Sequence, residues 1–147
     1  MNTHSLRLAA AGDFLQVTAL LTELGRPAMT PENSDAVQAV YARHLADPNT
    51  ASLVAEIDTQ IVGFLSLVFR EHLNFVHPQA WIPDLIVTEA ARGQGVARAL
   101  LERAFAEAKA HGCGHLRLES GYARTAAHKA YEAVGMNNGG YYFARSL

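Results

Sequence analysis

The span from Trp81 to Ser120 constrains this chain more than any other part of it. Trp81 to Val87 reads as a buried strand, and Pro83 is allowed there if its missing N–H falls on an unpaired side. A glycine-bearing loop follows, and then Val96 to His111 reads as a long helix. Leu100, Leu101, Ala104, Phe105 and Ala108 form its inner stripe, with Glu102, Arg103, Glu107 and Lys109 facing out and Gly112 placed to stop it. Leu116 to Ser120 is a second strand. Strand, helix and strand in that order form a β-α-β unit, whose long crossover makes the two strands parallel.

The rest of the chain adds antiparallel pairing. Ser52–Ile57 and Gln60–Phe69 are rich in Val, Ile and Phe and flank Asp58-Thr59, the pattern of a β-hairpin. Leu6–Ala10 reads as a first strand. Asp13 is placed to cap a helix to Leu24 with Val17, Leu20, Leu21 and Leu24 inward. Gly25, Pro27 and Pro31 break the chain before a helix from Ser34 to Leu45 with Val37, Val40 and Tyr41 inward. Asp47-Pro48-Asn49 is a turn, and Arg70 to Ala80 is irregular. Thr125–Val134 is a helix ending at Gly135, and Tyr141–Ala144 is a last strand. The expectation is an α+β fold with a mixed sheet. With 147 residues, no repeat and no linker, residues 1–147 read as one domain.

Composition narrows the function. Half the residues are hydrophobic and 18% are charged, as in a globular domain rather than a disordered chain. A formal charge of −2 offers nothing to a nucleic-acid backbone. A single cysteine, Cys113, excludes an intramolecular disulfide and a multi-cysteine zinc site. Met1–Ala11 lacks the apolar run of a secretory signal, and no stretch is long and apolar enough to span a membrane. The expectation is a soluble cytoplasmic protein with neither nucleic-acid nor membrane partners.

The chemistry concentrates in Arg92-Gly93-Gln94-Gly95-Val96-Ala97, directly after a strand and opening the long helix. Unpaired N–H groups and a partial positive charge suit a helix N-terminus to an anion. Gly93, Gly95 and Ala97 keep side chains out of the way of a phosphate, and Arg92 and Arg98 add cationic donors. A dinucleotide fingerprint would need a small residue where Arg98 stands, and a P-loop would need Lys followed by Ser or Thr.

The loop instead resembles the R/Q-x-x-G-x-G/A signature of the GNAT N-acetyltransferase superfamily. Asp84-Leu85-Ile86-Val87, the loop, Leu100-Leu101 and Tyr131-Glu132-Ala133-Val134-Gly135-Met136 fall in the order that family shows, so the resemblance covers nearly the whole chain. Asp47-Pro48-Asn49 and Phe69–His72 look most like the aminoalkylphosphonate acetyltransferase type.

The resemblance implies a mostly antiparallel central sheet with a splayed parallel strand pair, flanked by helices. It implies acetyl-CoA as co-substrate, its pantetheine arm against the main chain of Leu85, Ile86 and Val87 and its pyrophosphate on the N–H groups of Arg92 to Ala97. Tyr131 matches the family tyrosine that protonates the departing thiolate. The implied reaction is direct attack of a small primary amine on the thioester, with a strand N–H stabilising the oxyanion.

Other readings stand beside these. Tyr131 also fits the inner stripe of Ala127, Ala130 and Val134. Asp84 and Glu119 are the carboxylates nearest the expected cleft and are candidate bases, or strand residues without a role. Many relatives have a glutamate earlier on the first splayed strand, in the area where this chain has Trp81, and a water chain is a substitute for a base. Arg124 stands where many relatives place a cofactor-contacting asparagine, and His128 could meet the cofactor or solvent. His72 and His77 lack fixed ligand geometry, so no metal is expected, and a substrate-lining role suits His72 better. Cys113, in a Gly-Cys-Gly turn, has no partner to activate it as a nucleophile.

One alternative function is a non-catalytic acyl-CoA-binding regulatory module. Others are an acetyltransferase for protein N-termini or aminoglycosides, and an oxidoreductase or phosphotransferase using the same loop. Relatives commonly form homodimers, and the segment with Tyr141, Tyr142 and Phe143 could join one or belong to the core.

Overall fold

A computed structural model describes residues 3–147. The first two residues of the Met1–Ala11 stretch therefore lie outside the described residues. In chain order the elements are β1 (Ser5–Leu8), α1 (Phe14–Leu24), α2 (Ser34–Ala46), β2 (Thr50–Ile57), β3 (Gln60–Arg70), β4 (Gln79–Ile82), β5 (Leu85–Val87), α3 (Val96–Ala110), β6 (His115–Leu118) and α4 (Thr125–Ala133).

One sheet runs β1-β2-β3-β4-β6, with β5 also paired to β3. Among the described residues only β4 and β6 are parallel, from Gln79 opposite His115 to Ile82 opposite Leu118. The expected hairpin joins β2 to β3 through Asp58 and Thr59, whose φ values of 49° and 68° match the twist-compatible two-residue turn. Apolar side chains of both sheet faces are buried. Leu53, Leu65, Leu67, Ala80 and Ile82 meet Val96, Leu100, Leu101 and Ala104 of α3. On the opposite face Val54, Phe64 and Ile86 meet Val17 and Leu20 of α1. Gly63 lets α3 sit close, because a Cβ there would lie 3.0 Å from Leu100 Cδ1 and 3.1 Å from Val96 Cγ1.

The strand expected over Trp81–Val87 is two strands, and the interruption opens the sheet. Trp81 lies opposite Val68 and Leu85 opposite Leu65, so the second strand holds one residue more than β3 between those pairs. That is a bulge at Pro83-Asp84. Ser66 fastens it. Its N–H donates to Asp84 O at 3.0 Å, its hydroxyl donates to Asp84 Oδ2 at 2.8 Å, and it accepts the Asp84 N–H at 3.1 Å. Beyond the bulge β5 follows β3 alone, while the chain after Leu118 leaves the sheet. The parallel pair therefore ends in a fork.

Three other expectations change. Asp13 makes no side-chain cap to α1. Its carboxylate takes Arg7 Nη1 at 2.7 Å, Arg7 Nη2 at 3.0 Å and the Ala10 N–H at 2.7 Å, and the guanidinium holds it below the usual carboxylate range. Val40 is exposed, whereas Tyr41 packs on Phe14 and donates its hydroxyl to Ala10 O at 2.7 Å. Tyr141–Ala144 forms no strand and no core, with Tyr141 and Phe143 at 92% and 95% exposure. Strand propensity acts through packing against neighbours, and this segment, following Asn137-Asn138-Gly139-Gly140, has no face to pack on.

Candidate active site

A cleft of about 680 Å³ opens at the fork between β5, the 92–98 loop and α4. Leu85, Ile86 and Val87 form one wall, with Ala123–Ala127, Ala130 and Tyr131 opposite. Arg92, Gly93, Gly95, Val96, Ala97 and Arg98 close one end, and Glu23 and Leu24 of α1 reach its rim.

The β5 wall carries free main-chain groups. Thr88 N–H donates to Val62 O at 2.8 Å and Ser66 N–H to Asp84 O at 3.0 Å. In an antiparallel ladder these bonds recur at every second residue, so Ile86 also turns its groups toward β3. Leu85 and Val87 consequently direct theirs to the opposite edge, into the cleft. The Val87 carbonyl accepts Arg92 Nε at 3.0 Å, leaving the N–H groups of Leu85 and Val87 for a ligand.

At the loop, Gly93 and Gly95 have φ of 76° and 81°, and Gly95 is the N-cap of α3. The first bond inside α3 is Ala99 N–H to Gly95 O at 3.0 Å, so the N–H groups of Val96, Ala97 and Arg98 have no helical partner. A Cβ at either glycine would meet nothing within 4 Å. The glycines are thus required for left-handed backbone, a constraint additional to the open space the loop offers a ligand.

The arginines divide their work. Arg92 braces the loop from beneath, bonded to Val87 O and 3.6 Å from Glu23 Oε1. Glu23 also accepts the Thr88 hydroxyl at 2.9 Å and the Glu89 N–H at 3.0 Å. Arg98 lies on the exposed rim, paired with Glu102 at 2.9 Å. Gln94 lines a different cavity of about 490 Å³, beside Asp58 and Gln60 of the hairpin.

On α4, Arg124 lines the cleft at the helix start, and Tyr131 is half-buried one face along. Burial pushes the Tyr131 phenol up, against smaller opposing effects of Arg124 and Ser120. His128 turns to Ser120, sharing a 3.1 Å hydrogen bond with its Oγ, and does not line the cleft.

The two candidate carboxylates stand on the two arms of the fork, neither of them lining the cleft, in different surroundings. Asp84 Oδ1 accepts Arg26 Nε at 2.8 Å and Oδ2 accepts the Ser66 hydroxyl, so both oxygens are engaged. Glu119 Oε2 accepts the Trp81 indole N–H at 2.6 Å, and Oε1 accepts Arg117 Nη2 at 3.3 Å. His72 stacks on Phe75 with ring centroids 4.5 Å apart, and His77 packs against Gly114. Burial raises the Cys113 thiol, which keeps it from the reactive thiolate form.

Sequence reasoning missed Ser66, Arg26 and Ser120, and gave Trp81 no role. Only Ser120 carried a local signal, standing between the end of β6 and Gly121.

The sequence profile of the acetyltransferase (GNAT) family matches residues 17–136. The chain is 30% identical over 147 residues to the aminoalkylphosphonate N-acetyltransferase of Salmonella typhimurium (strain LT2), covering 100% of this chain and 94% of that protein. A transcriptional regulator from Bacillus halodurans C-125 superposes with a TM-score of 0.91 at 25% identity, covering 99% of this chain and 100% of that one. An aminoglycoside N-acetyltransferase solved in complex with CoA shares the fold, with a TM-score of 0.83 at 21% identity over 99% of this chain and 96% of the other.

Proposed function

The chain belongs to the GNAT acetyltransferase family, and on that premise we propose that it moves the acetyl group of acetyl-CoA to the primary amine of a small molecule, both substrates being bound together. The observation that carries this reading is the fork. A strand edge with free N–H groups there faces a cleft that ends on an unpaired helix N-terminus.

The donor set fits the co-substrate. Val96, Ala97 and Arg98 N–H groups at the positive end of α3 suit a pyrophosphate, with Gly93 and Gly95 shaping the turn and Arg98 and Arg124 on the rim. Of the free N–H groups of Leu85 and Val87, one suits an amide carbonyl of an extended arm laid along β5, as an added strand would lie, and the other is left for the acyl oxygen. Acetyl-CoA supplies an activated acyl carbon and a thiol leaving group.

The residues then divide the proton and charge work. Glu119 accepts a proton from the incoming ammonium, so that the nitrogen lone pair can form the C–N bond. A β5 N–H donates to the acyl oxygen as negative charge grows there. Tyr131 gives its proton to the sulfur as the C–S bond breaks, and the second proton that the nitrogen sheds on becoming an amide returns through solvent to the phenol. The sum is an amide, a free thiol and one proton passed from Glu119 to solvent. Asp84, paired with Arg26 and Ser66, keeps the bulge in shape, and Glu119, bonded to the neutral Trp81 indole and at 3.3 Å to Arg117, is the carboxylate assigned the proton transfer.

For the acceptor, the Salmonella relative favours a small amine of the aminoalkylphosphonate class over aminoglycosides and protein N-termini. No helix among the described residues is long and apolar enough to cross a membrane.

Acetyl-CoA at about a hundred times its Kd adds about 2.7 kcal/mol to the folded state. In a thermal melt that is a rise of roughly 5–10 °C for a domain of this size. NAD and ATP should give no comparable rise, and the reverse pattern rejects the co-substrate. The second reading, a non-catalytic acyl-CoA-binding regulator, draws on the likeness to the Bacillus halodurans transcriptional regulator. It predicts the same stabilisation without turnover on any amine.

A further inference from the structure

We infer that Trp81 is a positioning residue for the transfer: its indole N–H holds the Glu119 carboxylate in one orientation just past the point where β4 and β6 part. This rests on the proposed acetyl transfer and on Glu119 as its proton acceptor.

Along β4, Ala80 and Ile82 join the core under α3, so Trp81 faces the opposite side of the sheet. Across the parallel pair Trp81 stands opposite Arg117, and Glu119 is the first residue beyond the last pair, Ile82 with Leu118. The indole reaches diagonally across that step and donates to Glu119 Oε2 at 2.6 Å. The ring is itself held. The Arg70 guanidinium lies 4.7 Å over its centroid, and Arg70 Nε donates to Oε1 of Gln79 at 3.1 Å. Gln79 is 3% exposed, which anchors the stack in the sheet.

What the indole supplies is orientation without neutralisation. Asp84, on the other arm of the fork, is occupied by the Arg26 guanidinium at 2.8 Å and by the Ser66 hydroxyl at 2.8 Å. Glu119 is held by a neutral donor on one oxygen. On the other it has only a 3.3 Å contact to the half-exposed Arg117, a solvent-screened pair. Glu119 is bonded to the Trp81 indole and to Arg117 of β6, Arg70 stacks behind the indole, and the adjoining Ser120 engages His128 and Tyr131 of α4. An exposed glutamate without the indole would sample many rotamers, few of them at the fork.

The test is the pH dependence of kcat/KM for the amine in wild type, Trp81→Phe, Glu119→Gln and the double variant. Losing the indole hydrogen bond to a charged group should lower kcat/KM about tenfold near neutral pH, with the KM for acetyl-CoA unchanged. The deficit should fade as pH approaches the pKa of the acceptor, roughly 10 for an alkylamine, because the free amine arrives already deprotonated. The double variant should fall no further than Glu119→Gln alone. Glu119→Asp keeps the charge but withdraws it from the indole at an exposed position, and should show the same fading deficit even if Trp81→Phe fails to fold.

A deficit equal at every pH, or one that adds fully to Glu119→Gln, overturns the positioning role. A fully active Glu119→Gln overturns Glu119 as acceptor and this inference with it. An inactive wild type overturns the acetyltransferase reading itself, a result distinct from both.

Discussion

Gly95→Val weakens acetyl-CoA binding by about tenfold to a hundredfold while the protein remains folded. Gly95 has φ of 81° and caps α3. A left-handed conformation costs an ordinary L-residue roughly 1–2 kcal/mol, and a β-branched residue is an outlier there. A Cβ at this position would meet nothing within 4 Å, so no clash in the core confuses the result. The strain is relieved by turning the peptide, and that turn re-aims the Val96 and Ala97 N–H groups that receive the pyrophosphate. One charge-assisted hydrogen bond lost is worth about 1.5–3 kcal/mol, which sets the expected range. Titration calorimetry reads the affinity. Gly12→Val, at a glycine with equal space and no positive φ, is the control. A folded Gly95→Val protein with wild-type affinity would remove the loop as the phosphate site.

Tyr131→Phe lowers kcat by about 10²–10⁴ and leaves the affinity for acetyl-CoA nearly unchanged, as expected for loss of a general acid. The substitution keeps the ring that packs beside Ala130 and Val134 and removes only the hydroxyl. Burial raises the phenol pKa, so the protonated, donating form persists above the usual tyrosine value of about 10. Wild-type kcat should consequently show no loss on the alkaline side through pH 9, roughly one unit below that value. If Tyr131 were merely a core residue, the variant would turn over normally and differ only in stability.

The places of these two residues in the fold were the most legible in the sequence. Gly95 sits in a short motif between a strand and a helix with strong periodicity, and Tyr131 falls on the helical stripe of Ala127, Ala130 and Val134, its role coming only from the family resemblance. Both signals are local. What escaped the sequence depends on contacts between distant segments. Pro83 allowed a strand through Trp81–Val87, and the break there is decided by Ser66, eighteen residues away on the neighbouring strand. Arg26 reaches Asp84 across 58 residues, and Trp81 reaches Glu119 across 38. Spacing along the chain does not reveal such pairs. The likeness to a known family supplied the splayed strands, but not the particular side chains that hold them apart here.

Local propensity also misled where no tertiary partner supported it. Tyr-Tyr-Phe-Ala over 141–144 has the composition of a strand and stays outside the sheet. Asp13 stands where a helix cap belongs, and Arg7 takes its carboxylate in a bidentate pair that also engages Glu56 at 3.0 Å. A charged bidentate partner is stronger than a single backbone N–H, so the ion pair decides the geometry.

The measurement that bears most directly on the account is acetyl-CoA-dependent thiol release by the purified protein across sorted amines, with the acetylated product identified by mass. The amines would be aminoalkylphosphonates, polyamines, aminoglycosides, amino acids and short peptides, with a Cys113→Ser protein to remove the protein thiol from the signal. The account predicts stoichiometric thiol and amide with a small amine, aminoalkylphosphonates first among them. Thermal stabilisation by acetyl-CoA with no turnover on any class would contradict the enzyme and leave a binding module, and no stabilisation would contradict the co-substrate as well.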